Sequence, residues 1–493
     1  MTISIATLAA ALERAGLLRE SRGALPDSVT SITDDSRAIG EGTLFIAVRG
    51  SVRDGHDFLD QVAAAGAPAV IVEDPSLTSL PALVVREGES RRAAAVAAAA
   101  AYGEPARELR LIGVTGTNGK TTTVNMLRHL LDGDGGRSAS IGTLGVLVGS
   151  EGEPVEGGSG LTTPGPVELQ RLLRELRSAG VRTVAMEVSS HSLHQRRVEG
   201  VKFDAAVFTN LTRDHLDYHK SMEAYFEAKA LLASQVGLNG ALVVNEDDEA
   251  WRALPRRGRR IGYSVNNQRS DVHASDVRYD ARGTSLLLVA GDDRIATRVP
   301  LIGDFNVANA LGAAAAAWGV GLAPAEIAAR LATLPQVPGR LEVIHEGPTV
   351  LRDYAHTPDA LERSLRAVRP FARGRLIVLF GAGGDRDRGK RPQMGEIAGR
   401  LADFAIVTSD NPRTEDPERI LDDIEGGMKG ANRARIADRR EAIAHALAMA
   451  GEQDVILLAG KGHETYQVRG TEKLPFDERL IVRELAHLPG RTA

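Results

Sequence analysis

The chain has 493 residues, 43% hydrophobic and 25% charged, with 60 Lys+Arg against 65 Asp+Glu and a formal net charge of −5. That length exceeds one ordinary core and points to about three domains of roughly 150 residues each, while the mild acidity gives no support for a nucleic-acid or membrane-surface partner. The absence of cysteine excludes disulfides, thiolate metal sites and a cysteine nucleophile.

Residues 1–103 mix short strands (43–49, 69–72) with helices (58–65, 91–102). The N-terminal Met-Thr-Ile-Ser-Ile-Ala-Thr-Leu has no basic segment leading into a long apolar stretch, so no signal peptide is expected. The longest apolar run, residues 93–101, is nine residues long, far short of the ~20 that span a bilayer. It reads as an Ala-rich packed helix, and a cytoplasmic location is the expectation. Gly103-Glu-Pro105 closes this segment, because glycine and proline punctuate the chain.

Over residues 104–340, apolar strands (109–114, 184–188, 205–209, 241–245) alternate with helical patterns, the sequence form of a parallel α/β sheet. Residues 271–299 break the rhythm and read as a β-rich insertion, and Val337-Pro-Gly-Arg340 marks a second boundary. Residues 341–493 start again, with strands at 375–380, 404–408 and 454–459 and helices that include 392–401 and 439–450. That predicts a doubly wound sheet with ligands at the carboxyl ends of its strands. The fold class expected is therefore α/β throughout.

The strongest chemical signal is Gly113-Val-Thr-Gly-Thr-Asn-Gly-Lys-Thr-Thr-Thr123, between the strand 109–114 and a helical stretch 124–131. Gly116, Gly119, Lys120 and Thr121 spell a phosphate-binding loop one residue shorter than the commonest form. Its glycines let backbone N–H groups turn toward phosphate oxygens. The following helix adds its positive end. Lys120 supplies a charge at the β/γ-phosphates and Thr121 a hydroxyl for Mg²⁺. ATP or GTP is the implied ligand.

Further polar loops follow strands. Ala185-Met-Glu-Val-Ser-Ser-His191 offers Glu187 as the acid facing the nucleotide's metal, or alternatively as a capping or surface acid. Thr209-Asn-Leu-Thr-Arg-Asp-His-Leu-Asp-Tyr-His219 places Asp214 and His215 where they can serve a metal or a phosphate, and Mg²⁺ suits that setting better than zinc. In the last third, Gly381-Ala-Gly-Gly-Asp-Arg-Asp-Arg-Gly-Lys-Arg391, Thr408-Ser-Asp-Asn-Pro-Arg413 and Gly460-Lys-Gly-His-Glu464 each follow a strand. Three such loops converging on one sheet edge point to a binding site for a zwitterionic ligand, with Arg413 able to grip a carboxylate.

Together with Asp353-Tyr-Ala-His-Thr-Pro358, these segments resemble, in order and over essentially the whole chain, the Mur ligases. These are ATP-dependent amide-forming enzymes of peptidoglycan precursor synthesis, and the resemblance is nearest to the members that add the third amino acid. It implies three domains: an N-terminal α/β UDP-sugar-binding domain (1–103), a central P-loop parallel-sheet ATPase domain (104–340) and a C-terminal doubly wound, Rossmann-like amino-acid-binding domain (341–493). It implies ATP and Mg²⁺ as cofactors. The implied substrates are UDP-MurNAc-L-Ala-D-Glu and meso-diaminopimelate, and neither nucleic acid nor membrane is a partner. The D-glutamate side-chain carboxylate is phosphorylated by ATP, and the acyl phosphate is attacked by an amine. A monomer is expected. L-lysine as the incoming amino acid is the alternative within the family, and a P-loop NTPase acting as a binding module is the alternative outside it.

The resemblance also carries roles to positions. Gly116, Thr117, Asn118, Gly119, Lys120, Thr121 and Thr122 match the ATP loop, and Asn306, Arg340 and Asp353 match other nucleotide contacts. Thr121, Glu187 and His215 match metal-associated positions. Lys229 matches a lysine carbamylated in the family, where the carbamate holds a second Mg²⁺; Lys120, Glu187, His215 and Lys229 form the implied catalytic set. Asp34, Ser36, Ser51, Val52 and Arg53 match contacts to the UDP portion, and Thr162, Thr163, Ser189, Gln195 and Arg197 match contacts to the muramoyl-dipeptide. Leu161 departs from the polar residue some relatives carry. Arg386, Asp410, Asn411, Pro412, Arg413, Gly460 and Glu464 match the diaminopimelate-binding positions. The Asp-Asn-Pro-Arg spelling is the one associated with diaminopimelate, whose distal carboxylate lysine lacks.

Overall fold

The computed structural model describes residues 2–50, 53–157, 160–255, 258–280, 283–430 and 432–487. The chain divides into two compact units, one comprising 1–263 with 312–323 and the other 264–311 with 324–493.

The first unit holds an N-terminal sheet, a central sheet and a two-strand pairing of Ile3–Ser4 with Ser28–Val29. In the N-terminal sheet the strands Ser31–Thr33, Thr43–Ile46, Val70–Val72 and Ala82–Val85 run parallel, and Leu18–Arg22 adds antiparallel at the edge. Leu44, Ile46, Ile71, Leu83 and Val85 face the helices Ile5–Arg14 and Ser90–Ala101. The alanines Ala93, Ala94, Ala97 and Ala98 carry that contact, and their small side chains let the second helix lie close to the strands. Phe45, Val70, Val72 and Val84 point to the other face, where they bury Leu59 and Val62. Period-two alternation thus feeds two cores from single short strands.

The central sheet of this unit orders its parallel strands Arg137–Gly142, Val181–Glu187, Arg110–Thr115, Phe203–Phe208, Val236–Asn245 and Arg259–Ser264. Arg110–Thr115 therefore lies between the two strands that end in Glu187 and Phe208. Its register sets Val114 opposite Glu187 on one side and Thr115 opposite Phe208 on the other. All three polar segments consequently leave the sheet at one edge, the place where parallel sheets bind ligands. These strands are covered on both faces, hence their near-continuous apolar runs.

In the second unit, Glu342–His345, Thr349–Asp353, Val455–Ala459, Leu376–Phe380, Phe404–Val407 and Arg433–Arg435 form one sheet in that order, parallel from Thr349–Asp353 onward. Leu376, Val378 and Phe380 bury against Leu361, Leu365, Met394, Ile420 and Leu421 on one face. Ile377 and Leu379 bury against Ile443, Leu447, Ile481 and Val482 on the other. This is the expected doubly wound arrangement. The expected β-rich insertion is an antiparallel meander of Val272–Asp280, Gly283–Ala290 and Asp293–Val299.

Two local expectations change. The helix after the phosphate loop spans Lys120–Leu131 and so starts four residues before the expected 124. Three successive threonines have low helix propensity, but Thr121, Thr122 and Thr123 are buried and packing overrides it. The helix expected over 58–65 is a 3₁₀ turn, Gly55–Phe58, capped by Asp54, followed by a helix Leu59–Ala64.

Candidate active site

The phosphate loop is shaped from beneath by the neighbouring strand end. Gly116 sits at φ 148°, and a Cβ there would lie 1.8 Å from Thr209 Oγ1, so only glycine fits. Gly119, at φ 86°, turns the chain into the helix. Thr117 N donates to Asn210 O (2.7 Å), Asn118 N to Asn210 Oδ1 (2.9 Å), and Thr209 Oγ1 to Asn118 O (2.6 Å). Asn210 therefore braces the loop rather than facing a ligand. Lys120 Nζ donates to Gly116 O (2.9 Å) and Thr117 O (2.8 Å), which folds it over the loop it serves.

Glu187 is 1% exposed, and Thr143 holds it: Thr143 N donates to Oε1 (2.8 Å) and Thr143 Oγ1 to Oε2 (3.2 Å). Lys229, also 1% exposed, donates to Gly116 O at 2.7 Å and lies 4.5 Å from the Tyr225 ring centre. Burial first, and then the nearby Lys120 charge, hold its ammonium pKa well below the ordinary lysine value. A buried primary amine beside a phosphate loop is thus predisposed to be neutral.

Beside Lys229 lies a ring cluster. His191 is 4.8 Å from His215, 4.2 Å from Tyr218 and 5.4 Å from His219, measured between ring centres. Burial brings His191 down to about 4, so it is neutral at neutral pH. His215 itself is exposed, has φ 53°, and sits 3.5 Å from Asp214. Ser189 caps the short helix Ser190–His194 and Thr163 Oγ1 donates to Glu187 O (2.9 Å). Arg197 donates to Thr163 O (2.9 Å) and, twice, to Gln195 Oε1 (3.1 and 2.7 Å). Thr163, Ser189, Gln195 and Arg197 are thereby brought into one network next to Glu187. Thr162 joins it through Thr143 Oγ1 at 3.4 Å, and Leu161 stays 45% exposed. In the N-terminal sheet Asp34 and Arg53 are exposed and Ser36 opens the 3₁₀ turn Ser36–Ala38. Ser51 and Val52 lie outside the described residues.

In the second unit Asp353 ends its strand and is buried; its carboxylate accepts from Leu341 N (2.8 Å), Ala355 N (3.0 Å) and Ser364 Oγ (2.9 Å). Burial raises its pKa against the pull of Arg340. The Arg340 guanidinium stacks 4.7 Å above the Tyr354 ring. Asn306 is 1% exposed and donates to Ile302 O (2.8 Å).

The Asp410–Arg413 corner meets the 460–464 loop. Asn411 Nδ2 donates to Glu464 Oε2 (3.0 Å), and Gln467 Nε2 to Asp410 O (2.7 Å). A Cβ on Gly460, at φ 115°, would stand 2.3 Å from Asp410 Oδ2. Arg413 has φ 52° and its backbone is pinned on both sides, N to Val468 O (3.1 Å) and O from Gly470 N (2.7 Å). Its guanidinium donates to Gly384 O (2.8 Å). It packs so close to Gly383 that a Cβ there would stand 2.8 Å from it, with the Arg386 side chain as the next neighbour. Pro412 is buried and Arg386 is exposed. A half-buried guanidinium and a pair of carboxylates thus share one loop cluster, the complement of a zwitterion.

Known proteins resemble the chain over most of its length. The Mur ligase family catalytic domain matches residues 28–110, the Mur ligase middle domain residues 114–317, and the Mur ligase glutamate ligase domain residues 339–462. The UDP-N-acetylmuramoyl-L-alanyl-D-glutamate--2,6-diaminopimelate ligase of Geobacillus kaustophilus is 44% identical over 473 residues, 94% of this chain and 95% of its own. The chain belongs to the Mur ligase family. A solved structure of a ligase of the same name superposes with TM-score 0.68 at 33% identity, covering 98% of this chain and 99% of that one. The MurF ligase of Thermotoga maritima, solved in complex with ADP, shares the Mur ligase fold at TM-score 0.66 and 20% identity, covering 92% and 96%.

The donor chemistry beside the phosphate loop fits the Mg²⁺ that the resemblance implies. Glu187 and Thr121 supply hard oxygens next to the loop. Among the described residues no three of His, Cys, Asp and Glu converge as a complete metal cage, so water or phosphate oxygens would complete any Mg²⁺ shell. His215 offers a nitrogen, a poorer match for that ion. Sequence reasoning missed two supporting residues of this Mur ligase: Thr143, which orients Glu187 from 44 positions away, and Lys461, buried under the amino-acid loops. The Gly-Lys-Gly spelling around Lys461 was the available signal.

A third support is electrostatic. Arg391, 0% exposed, donates to Glu415 Oε1 (2.9 Å) and Asp423 Oδ2 (2.8 Å), while Asp385 N donates to Glu415. The Arg391 hydrogen bond, foremost, brings Glu415 from 4.5 down to about 2. A lowered carboxyl stabilises the fold above its unfolded value and loses that contribution as pH falls from 4.5 toward 2. Acid unfolding is therefore expected to steepen below pH 4.5. Glu415→Gln should flatten that limb in a pH series of thermal unfolding midpoints; an unchanged limb would remove Glu415 from the account.

Proposed function

We propose that this Mur ligase joins meso-diaminopimelate to the D-glutamate side-chain carboxylate of UDP-N-acetylmuramoyl-L-alanyl-D-glutamate, with ATP as the energy source. The observation that carries the reading is the Asp410–Arg413 corner, locked against Glu464 with its guanidinium held by Gly384 O. The identity to ligases of that name over most of the chain supports it. The domain division 1–103, 104–340 and 341–493 belongs to the same proposal, as do a cytoplasmic location and a monomeric state.

The chemistry follows from the residues. A substrate carboxylate oxygen attacks the γ-phosphorus and the β–γ bridge oxygen leaves with ADP. Lys120, drawn from the loop carbonyls by the incoming phosphates, balances the charge that develops on them. Glu187 and Thr121 would hold Mg²⁺, which would supply screening of the phosphate charge. The Thr163–Gln195–Arg197 network holds the substrate peptide, so that its carboxylate is oriented at the phosphate. The neutral amine of the amino acid then adds to the acyl carbon, phosphate departs, and the amine proton is lost to give the amide. Asn306, Arg340 and Asp353 are proposed contacts to the nucleotide.

Phosphate release measured with ATP, Mg²⁺ and the UDP-muramoyl-dipeptide tests this. Release should depend on meso-diaminopimelate and be far weaker with L-lysine. Amino-acid-independent hydrolysis would instead support an NTPase module, and a preference for L-lysine would move the chain to the lysine-adding ligases.

A further inference from the structure

The amino-acid loops are built around a cation that has no part in the phosphoryl or acyl transfer. Lys461 is 0% exposed, although lysine is among the residues least often fully buried. The backbone drives it inward. Gly460 at φ 115° and Gly462 at φ 52° flank it, and a Cβ on either would clash, with Asp410 Oδ2 at 2.3 Å and with Tyr354 Cβ at 2.7 Å. The loop therefore passes tightly between the Asp410 and Tyr354 segments, and the only side chain between those glycines points into the protein.

Its ammonium has two hydrogen-bond acceptors and a third, ionic neighbour. Nζ donates to Asn411 Oδ1 (2.9 Å) and Glu464 Oε2 (3.1 Å), and Asp410 Oδ1 stands at 3.8 Å. Asn411 Oδ1 also accepts from Val468 N (2.9 Å). With two donors on that oxygen, the Asn411 amide has one orientation, which sends its Nδ2 to Glu464. Lys461 thus sets the rotamers of Asn411 and Glu464 at once. It also places a positive charge between two carboxylates; without it, Asp410 and Glu464 would face each other uncompensated. Below it, the fully buried pair Arg439–Glu478 ties Ala459 O (3.0 Å) to the same strand ends, so the floor does not depend on Lys461.

We propose that Lys461 is the positioning residue of the amino-acid pocket, holding Asn411 and Glu464 in place and making the pocket tolerant of a ligand's distal carboxylate. This rests on the reading of the pocket as the diaminopimelate site. A buried ion cluster of this kind contributes little net stability, because desolvation offsets the Coulomb gain; its value here is in recognition. A diamino diacid brings a second carboxylate to these loops, where without Lys461 the guanidinium groups of Arg413 and its neighbour Arg386 would have to outweigh two carboxylates. L-lysine brings only an ammonium there. Loss of the Lys461 charge therefore penalises the diacid more than the monoacid.

Steady-state kinetics of Lys461→Met, which keeps the length and removes the charge, test this. KM for meso-diaminopimelate should rise about tenfold or more, while KM for ATP and for the UDP-muramoyl-dipeptide stays within about twofold. The ratio of kcat/KM for meso-diaminopimelate to that for L-lysine should fall about tenfold. Lys461→Gln, which can keep one hydrogen bond, should show the same pattern at smaller size and is the variant to use if the methionine protein does not fold. Unchanged diaminopimelate kinetics, or all three KM values rising together with no change in selectivity, would overturn the proposal in favour of a structural staple. If the wild-type protein turns over another amino acid instead, the function reading fails by itself, and Lys461 is judged on KM for that amino acid against KM for ATP.

Discussion

Arg413→Ala lowers kcat/KM for meso-diaminopimelate by roughly 30- to 1,000-fold, the effect of about 2–4 kcal/mol for removing one partner of a desolvated charge pair. The guanidinium's hydrogen bond within the protein runs to a main-chain carbonyl, Gly384 O, so truncation costs little stability. The backbone bonds to Val468 and Gly470 survive the change. Alanine meets the same left-handed conformation that arginine already tolerates at φ 52°. KM for ATP and the thermal midpoint should accordingly hold. Arg413→Lys should recover little, because an ammonium cannot present the planar two-donor fork that a carboxylate takes. L-lysine, which has no distal carboxylate, should be affected least, so the variant is also less selective. Equal losses with both amino acids would mean that Arg413 shapes the loop and does not read the substrate.

Lys229→Ala is expected to lower kcat by roughly 10²–10³-fold, the size seen when one preorganised charge is taken from a phosphoryl or acyl transfer site. We propose that Lys229 is carbamylated, a modification that its burial beside the phosphate loop suits. Carbon dioxide reacts with a neutral amine: the nitrogen forms a bond to carbon, a proton leaves, and one negative charge is shared by two oxygens. Burial and the neighbouring Lys120 disfavour the ammonium, so the neutral form is present well below the pH at which an exposed lysine would lose its proton. The product would set a carboxylate beside the Gly116 carbonyl, on the loop that carries Thr121. A short carboxylic acid such as acetate should restore part of the activity of Lys229→Ala, since it can occupy the emptied volume and return the two oxygens. Arrested turnover with intact nucleotide binding and no rescue at any acid concentration would argue that Lys229 acts as a cation. Loss of the fold would be separated from both by its thermal midpoint.

The phosphate loop was legible in the sequence because its information is local: glycines, a lysine and a threonine within a few residues, with a strand before and a helix after. The ends of the second unit's strands were legible for the same reason, each apolar run stopping at a polar loop. The alternation of residues 271–299 announced a β-rich insertion, since period two is a property of neighbouring residues. The helix start was misplaced because Thr121–Thr123 have poor helix propensity and only their burial under the sheet holds them helical.

Other features could not be read along the chain. Asn210 stood in a polar run with no role of its own, and strand order puts it under the phosphate loop as a brace. Thr143 meets Glu187, and Lys461 meets Asn411, only once parallel strands have been laid side by side in register. Sequence by itself determined the α/β class, the place of each polar loop and the kinds of chemical group each carries, because backbone conformation and burial period are encoded over about ten residues. The tertiary structure alone decided which of those groups touch, which are braces and which are buried, because strand order and register follow from covering both faces of each sheet with helices drawn from distant parts of the chain.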